Sequence, residues 1–412
     1  MKALPKISVD RDRLVEWASR AIGTPSFTGS EQAMAELMRE TFLDLDLHVQ
    51  WQQVEDGRAN VLGIRDGMGG GPSLMFNGHM DTSYSGREPW LRHVPGFQPS
   101  AFVEDGRLYG LGISNMKGAL ACYVEALRAL TDIEIRLRGD VMIAAVSGEI
   151  EKTQYGDAVG AEYRGYAAGS RYLVSHGGVA DMCILGEPTE SKLVLGHFGS
   201  LWLRISTQGP FVHTAFSEGK RSQNSIVRMR DVLDAVLEWI PSWEDDPSNS
   251  YRGVKAIVNV GALEGGFGWR VSRTPHRTDL FLDVRVPPTK EMAVARAQVL
   301  AMVRELAERF PEHGIEGEVY VTAPGAEIAG DHALVSALEA AHAEVFGSPP
   351  ERDVTRWFSD ASVLSRYGIA TVNYGTSTGL LDTVKGENLE IDGLVKTADV
   401  YARAAMKVCG LA

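Results

Sequence analysis

The sequence predicts an α/β protein with a mixed, largely parallel sheet, interrupted by a smaller inserted α+β domain. Three observations carry that reading. Short apolar runs such as Leu74–Phe76, Val141–Val146 and Met182–Leu185 each end at Gly, Ser or Asn and pass into polar residues. Such runs are the mark of strands buried on both faces. Helical periodicity alternates with them. Between Ser200 and Val321 the order becomes strand, helix, strand, strand, helix, strand, the split βαβ pattern of a compact ferredoxin-like domain. With 412 residues the chain exceeds one ordinary core. Residues 1–196 and 324–412 are therefore read as two parts of one larger domain, and 197–323 as the insertion.

Taken in order, Leu14, Val15, Trp17, Ala18 and Ala21 recur at helical spacing until Gly23-Thr24-Pro25 stops them. A second helix is expected from Glu31 to Phe42, then strands Val49–Val54 and Asn60–Ile64 before a glycine-rich turn at Gly67–Gly71. The strand beginning at Leu74 runs into Gly78-His79-Met80-Asp81. A polar loop with Trp90, Pro95 and Pro99 and a short hairpin from Ala101 to Tyr109 follow. The segment from Gly110 to Gly118 opens a helix to about Leu130, and both Ser114 and Asn115 suit its N-cap. In the insertion, Ser200–Thr207, Val254–Ala262, Thr278–Val286 and Ile315–Val321 read as strands, with helices over Asn224–Ile240 and Lys290–Phe310. From Ala333 the first pattern resumes, with a strand at Ala370–Tyr374 and a last helix over Asp392–Val408.

Composition narrows the partners. Net charge is -13 with acidic residues spread along the chain, which argues against nucleic acid and anionic membrane surfaces. Cys122, Cys183 and Cys409 lack paired-ligand spacing, so a reduced, cytoplasmic setting is expected and no thiolate metal site. Neither a signal peptide nor a membrane-spanning apolar run is expected.

The chemistry gathers at strand ends, where open α/β sheets place their ligands. His79 offers a ring nitrogen to a metal, and Asp81 is placed to bind the other nitrogen and fix its tautomer. Two further strands deliver Glu149 and Glu187 to the same edge, with Asn115 nearby. Buried carboxylates are costly unless they pair or bind a cation.

These motifs resemble the zinc-dependent family of aminoacylase, acetylornithine deacetylase, succinyl-diaminopimelate desuccinylase and carboxypeptidase G, nearly end to end. Pro25-Ser26 with Gly29 and Glu31 resembles its N-terminal signature. Gly78-His79-Met80-Asp81-Thr82, Asn115-Met116-Lys117-Gly118 and Gly186-Glu187-Pro188-Thr189 resemble its metal motifs. The resemblance implies a hydrolase-like catalytic domain with an inserted lid or dimerisation domain, and a homo-oligomer of at least two chains. Glu149 falls at the family's general base. His213, Asn224 and Arg285 fall at substrate-binding positions of the inserted domain, and Gly375 is taken as a further substrate contact. His213 resembles a histidine that reaches a neighbouring subunit's site and steadies developing negative charge.

The departures from the family pattern sort by metal. Of two ions, one keeps the pair that serves it alone, His79 and Glu187. The bridging aspartate has become Asn115, the other ion's glutamate Ile150, and its histidine Thr383. One divalent ion (Mn²⁺, Zn²⁺ or Co²⁺) is therefore expected on His79, Asn115 and Glu187, held weakly because Asn115 brings oxygen without charge. Glu151 and Asp382 are the possible replacement ligands for a second.

The expected reaction is metal-dependent hydrolysis of a C–N bond in a small carboxylate-bearing substrate, with Glu149 taking a proton from water whose pKa the ion lowers. Structural pairing with Lys152 or Arg164 is the alternative for Glu149. Arg285 suits the substrate carboxylate. With one ion, two kinds of substrate fit: an amide whose oxyanion His213 holds, or an already activated carbon such as an electron-poor aromatic amine. The resemblance takes in one hydrolytic deaminase of the second kind and implies 5-nitroanthranilate giving 5-nitrosalicylate and ammonia. Phe76, Trp90, Tyr155, Trp269, Trp357 and Tyr374 are the candidate ring-packing residues. An N-acyl amino acid deacylase or dipeptidase with two metals and a catalytically silent binder are the alternatives.

Overall fold

The computed structural model describes residues 6–376 and 384–412. They form two compact units: the chain up to Leu195 with Glu327–Asp353 and Ser359–Ala412, and Gly196–Ala326 with a short return, Val354–Phe358.

The first unit opens with helices α1 (Arg11–Ile22) and α2 (Gln32–Asp44). Asp10 caps α1, its carboxylate accepting from the Asp12 and Arg13 N–H groups, and Leu14, Trp17, Ala18, Ala21 and Ile22 form the buried stripe. Strands β1 (His48–Glu55) and β2 (Arg58–Arg65) make an antiparallel hairpin. Next come β3 (Leu74–His79), the small hairpin β4 (Phe102–Glu104) and β5 (Arg107–Tyr109), and α3 (Gly118–Asp132). Strands β6 (Val141–Val146), β7 (Met182–Leu185) and β8 (Leu193–His197) follow, with α4 (Ala168–Ser175) between the first two.

In the second unit, β9 (Gly199–Gln208) leads to α5 (Ser225–Glu244), the two-residue strands β10 (Ser250–Tyr251) and β11 (Val254–Lys255), and β12 (Val258–Gly265). The unit closes with β13 (Arg277–Val286), α6 (Met292–Arg309) and β14 (Glu316–Ala323). The remaining elements are β15 (Ala326–Glu327), α7 (Ala333–Phe346), β16 (Arg352–Thr355), α8 (Ala361–Leu364), β17 (Ala370–Asn373), β18 (Asn388–Glu390) and α9 (Ile391–Cys409).

The large sheet runs β1-β2-β6-β3-β7-β17-β8-β15. Its centre is parallel: β3 lies between β6 and β7, and β17 pairs with β7 in the same sense. The outer pairs β2·β6 and β17·β8 are antiparallel. Every residue of β3 and β6 is buried, as their unbroken apolar runs require. Helix α3 is buried on nearly all sides, packed against α1 and α9.

The second unit's sheet has the order β12-β13-β9-β14, all antiparallel. Strand β13 alternates without a break: Thr278, Leu280, Leu282, Val284 and Val286 are buried, and the residues between them half-buried. The buried face joins Leu201, Leu203 and Ile205 to Met229, Val232 and Val236 of α5 and Val299, Met302 and Val303 of α6 in one core. Among the described residues, no helix is long and apolar enough to cross a membrane.

Two sequence expectations need correcting. The strand expected over Val254–Ala262 is two pieces, because the Ala256 N–H bonds back to Asn249 and the Ile257 carbonyl accepts from Arg285, which changes the strand's partner mid-run. The helix expected from Gly110 begins only at Gly118; before it, Ile113–Lys117 forms a wider turn containing a cis Asn115–Met116 peptide.

Candidate metal centre

Register brings the site together. Strand β3 pairs His79 with Val146 of β6 and Asn77 with Leu185 of β7, and β17 pairs Asn373 with Leu185. Four parallel strands therefore end level, and the residues just beyond them share one edge. His79 closes β3, Glu149 follows β6, Glu187 follows β7 and Gly375 follows β17. Ligand atoms of His79, Glu149 and Glu187 all lie within 4.8 Å of one another, and all three residues are buried.

Gly148 makes the bend that turns Glu149 inward. Its φ is +67°, and a Cβ there would meet Arg58 Nη2 at 2.2 Å. Gly375 is equally confined, since its Cβ would lie 2.3 Å from the Glu187 carbonyl. Its N–H donates to Thr189 Oγ1, and its carbonyl accepts from Ser191 N–H. Gly375 thus holds the Glu187 loop close to β17.

His79 Nδ1 lies 2.8 Å from the backbone carbonyl of Asp81 and 3.5 Å from that residue's carboxylate. The carbonyl, not the expected carboxylate, is the closer acceptor. A carbonyl can only accept, so Nδ1 carries a proton and Nε2 is turned to the site. The Asp81 carboxylate instead accepts from Glu149 N–H at 3.0 Å, Ile150 N–H at 3.3 Å and Thr28 Oγ1 at 2.9 Å. It fixes the turn that carries Glu149.

Asn115 is not a helix cap. Its backbone is extended, with φ -137° and ψ 94°, and Lys117 stands at the N-cap of α3 without a side-chain cap bond. Asn115 Oδ1 lies 3.0 Å from His79 Nε2. The turn is clamped from two sides. Lys117, fully buried, donates to the carbonyls of Ala21 and Thr24 at 2.8 and 2.7 Å. The Glu387 carboxylate accepts from Ser114 N–H and favours the Gly112 and Asn115 N–H groups as well.

Electrostatics mark the edge as a place for positive charge. Burial opposes charge on His79, yet Asp81, Glu149 and Glu187 together hold its pKa well above the usual value. Burial and then the neighbouring Glu187 push Glu149 well above the carboxylate range. Glu187 is raised by burial to about 7. Burial also works against the Asp81 carboxylate, but the closeness of the His79 ring and its imidazolium charge hold it down at about 2.

The donor set suits a divalent ion: one imidazole nitrogen, an amide oxygen and carboxylate oxygens. Glu187 Oε1 is buried and accepts no hydrogen bond among the described residues. Two acceptors, His79 Nε2 and Asn115 Oδ1, face each other at 3.0 Å, a separation that calls for a proton or a cation between them. Protons now held by His79 and Glu187, the titratable members of the expected ligand set, must leave as an ion binds, so the empty centre holds more protons than the filled one. Affinity is therefore expected to rise with pH through about 7. Chelator competition with Mn²⁺ at pH 6 and pH 8 should show at least about tenfold tighter binding at the higher value. Equal affinity would mean that these groups do not bind the ion.

Glu151, half-buried, is not in the group that closes within 4.8 Å. The alternation that would set it beside Glu149 needs an extended chain, and residues 147–151 form an irregular bend. Asp382 and Thr383 lie outside the described residues. Arg164 pairs with Glu55, not Glu149. Phe76 and Tyr374 are core residues: Phe76 stacks on Tyr123 at 5.0 Å, and the Tyr374 hydroxyl bonds His342. Trp90 and Trp269 are exposed, and Tyr155 and Trp357 half-buried.

The other candidates belong to the second unit. Asn224 caps α5, accepting from Ile226 N–H at 2.9 Å. His213 Nδ1 accepts from Ala215 N–H at 3.2 Å, beside exposed Phe216. Arg285 lies on the half-buried face of β13 and donates to Asp283 at 2.6 Å.

Sequence reasoning gave no role to Arg58 or Asp360. Arg58 is wholly buried, bidentate to Glu31 at 2.9 and 2.7 Å and bonded to Glu55 at 2.6 Å. The strand read from the sequence, Asn60–Ile64, begins two residues after it, and nothing there singles it out.

Residues 75–407 match peptidase family M20/M25/M40. The chain is 27% identical over 399 residues to succinyl-diaminopimelate desuccinylase of Alkalilimnicola ehrlichii, covering 94% of this chain and 96% of that one. Its fold is similar to that of aminopeptidase PepT from Bacillus cereus, with a TM-score of 0.73 at 20% identity over 97% of this chain and 99% of that one. A tripeptidase from Staphylococcus aureus gives a TM-score of 0.76 at 19% identity with the same coverage. With its histidine and carboxylates gathered at one sheet edge, the chain belongs to peptidase family M20/M25/M40 and is a metal-dependent hydrolase of C–N bonds.

Proposed function

We propose that the protein hydrolyses a C–N bond in a small carboxylate-bearing substrate using one divalent ion, held by His79, Glu187 and Asn115. The observation that carries this reading is the character of Asn115 and Ile150. An uncharged amide sits 3.0 Å from His79 Nε2, and a buried aliphatic side chain follows Glu149. At these positions the resemblance would put two further carboxylates. When bound, the ion supplies Lewis-acid chemistry, polarising an oxygen and making water more acidic. With little charge from its ligands it is held weakly, and Mn²⁺ or Co²⁺ serve as well as Zn²⁺.

Glu149 takes the proton from the attacking water and delivers it to the leaving nitrogen. Burial and then the neighbouring Glu187 keep its carboxyl from ionising as readily as a free one, which makes its carboxylate the stronger base. The Asp81 carboxylate holds its turn in place. Arg285 is assigned to the substrate carboxylate, for which it exchanges the Asp283 contact, and His213 to stabilising negative charge in a neighbouring subunit of a homodimer or larger assembly. The three buried free thiols suit a reducing cytoplasm.

Single-ion chemistry favours an electron-poor aromatic amine, whose ring spreads incoming charge, with 5-nitroanthranilate as the specific substrate. The other reading is an N-acyl amino acid deacylase or dipeptidase with two ions, supported by the desuccinylase likeness over 94% of the chain. Metal stoichiometry together with turnover of aminobenzoates and acylated amino acids decides between them. One equivalent of metal and ammonia release from 5-nitroanthranilate is expected, with N-acetylornithine left uncleaved. Two equivalents and rapid deacylation would replace the first reading with the second.

A further inference from the structure

Asp360 is accounted for neither by the ligand set nor by the proton acceptor. It stands just before α8 with 0% exposure, and neither carboxylate oxygen accepts a hydrogen bond among the described residues. The Ser170 hydroxyl is near enough to favour its charge without making a bond of normal geometry to it. That hydroxyl is also approached by Asn77 Nδ2 at 3.4 Å. Asn77 lies on the same face of β3 as His79, and its Oδ1 is buried without a donor too. His79 and Arg171 favour the Asp360 charge and Asp81 opposes it, while Asp360 in turn helps Glu149 and Glu187 to keep their protons.

A buried carboxylate with no donor is expensive, and it persists where positive charge arrives. His79, Glu187 and Asn115 give a divalent ion one formal negative charge. Direct ligation by Asp360 is excluded by reach. Two ligands with bonds of about 2.0–2.3 Å to one ion stand at most about 4.6 Å apart. Asp360 is outside the group that closes within 4.8 Å. Its influence on the centre is through its field, which low-dielectric surroundings leave poorly screened.

We propose that Asp360 is a charge-compensating member of the metal centre, holding the ion electrostatically and supplying negative charge that Asn115 lacks. This rests on the metal reading above.

The test is the Mn²⁺ dissociation constant of the full-length protein, from chelator competition, with denaturation midpoints of the metal-free and metal-loaded forms. Asp360→Asn and Asp360→Ser should each weaken binding about tenfold or more. Neither should lower the metal-free midpoint, because both remove a buried carboxylate that accepts no hydrogen bond among the described residues. Adding Asn115→Asp to Asp360→Asn should restore affinity. If wild type binds the ion, Glu187→Ala does not, and both Asp360 variants keep wild-type affinity, this proposal alone is overturned. If wild type binds no ion, or Glu187→Ala binds as tightly as wild type, the metal reading falls and takes the proposal with it.

Discussion

Glu149→Gln is expected to reduce turnover by about 10²- to 10⁴-fold while leaving bound metal unchanged. Glutamine keeps the shape of the side chain and the backbone bonds from Glu149 and Ile150 N–H to Asp81, so the turn should survive. What is lost is the ability to accept a proton and hand it to nitrogen. The loss should fall on kcat with little change in KM, as for a group whose contribution is realised in the transition state. Metal content is the discriminating measurement. Glu149 Oε2 lies 3.8 Å from His79 Nε2, inside the cluster that could hold an ion. If the variant loses its metal along with its activity, Glu149 is a ligand and the proton acceptor must be sought elsewhere. Retained turnover would exclude both roles.

The largest effect on stability is expected at Arg58. Arg58→Leu should cost about 3–5 kcal/mol, because it strands buried carboxylates that the guanidinium now neutralises. Glu31 is fully buried, and its pKa is already raised to about 7 by burial and by the nearby Asp81 charge, against the pull of Arg58. Removing Arg58 leaves Glu31 to protonate or to expose itself. The carbonyl of Arg164, which accepts from Arg58 at 2.9 Å, also loses its donor. Urea denaturation measures the cost. A Glu31→Leu/Arg58→Leu double variant should recover part of it, since no unpaired charge remains. Single variants near wild-type stability would show that the pair is balanced by its own desolvation.

Much of the large unit was legible in the sequence because its signals are collective. Trp17, Ala18 and Ala21 identify α1 by period, and Val141–Val146 identifies a buried strand by its unbroken apolar run. His79 was legible because an apolar run ended on it, and Glu149 and Glu187 because they follow runs of the same kind. The start of α3 was misplaced because Ser-Asn before a helical pattern is the normal language of an N-cap. Here the same letters form a turn whose amide faces a histidine. Lys117, Arg58 and Asp360 were illegible for a different reason. A lone charge in a sequence looks solvated, and only the pairing of distant segments shows it to be buried. Lys117 reaches α1 across the unit, and Arg58 reaches Glu31 from another element.

The interleaved order of the large sheet bears on how the chain is made. Strand β17 (Ala370–Asn373) pairs with β7 (Met182–Leu185) on one side and with β8 on the other, so the centre of the sheet waits for late residues. The inserted unit, apart from Val354–Phe358, is continuous and emerges from the ribosome well before them. Until β17 has been made, the apolar strand β7 therefore has an unpaired edge, the kind of template on which nascent chains misassemble. The edge that carries His79, Glu149 and Glu187 closes only once Ala370–Asn373 has been made, and a chain ending before Ala370 should leave β7 without its second partner.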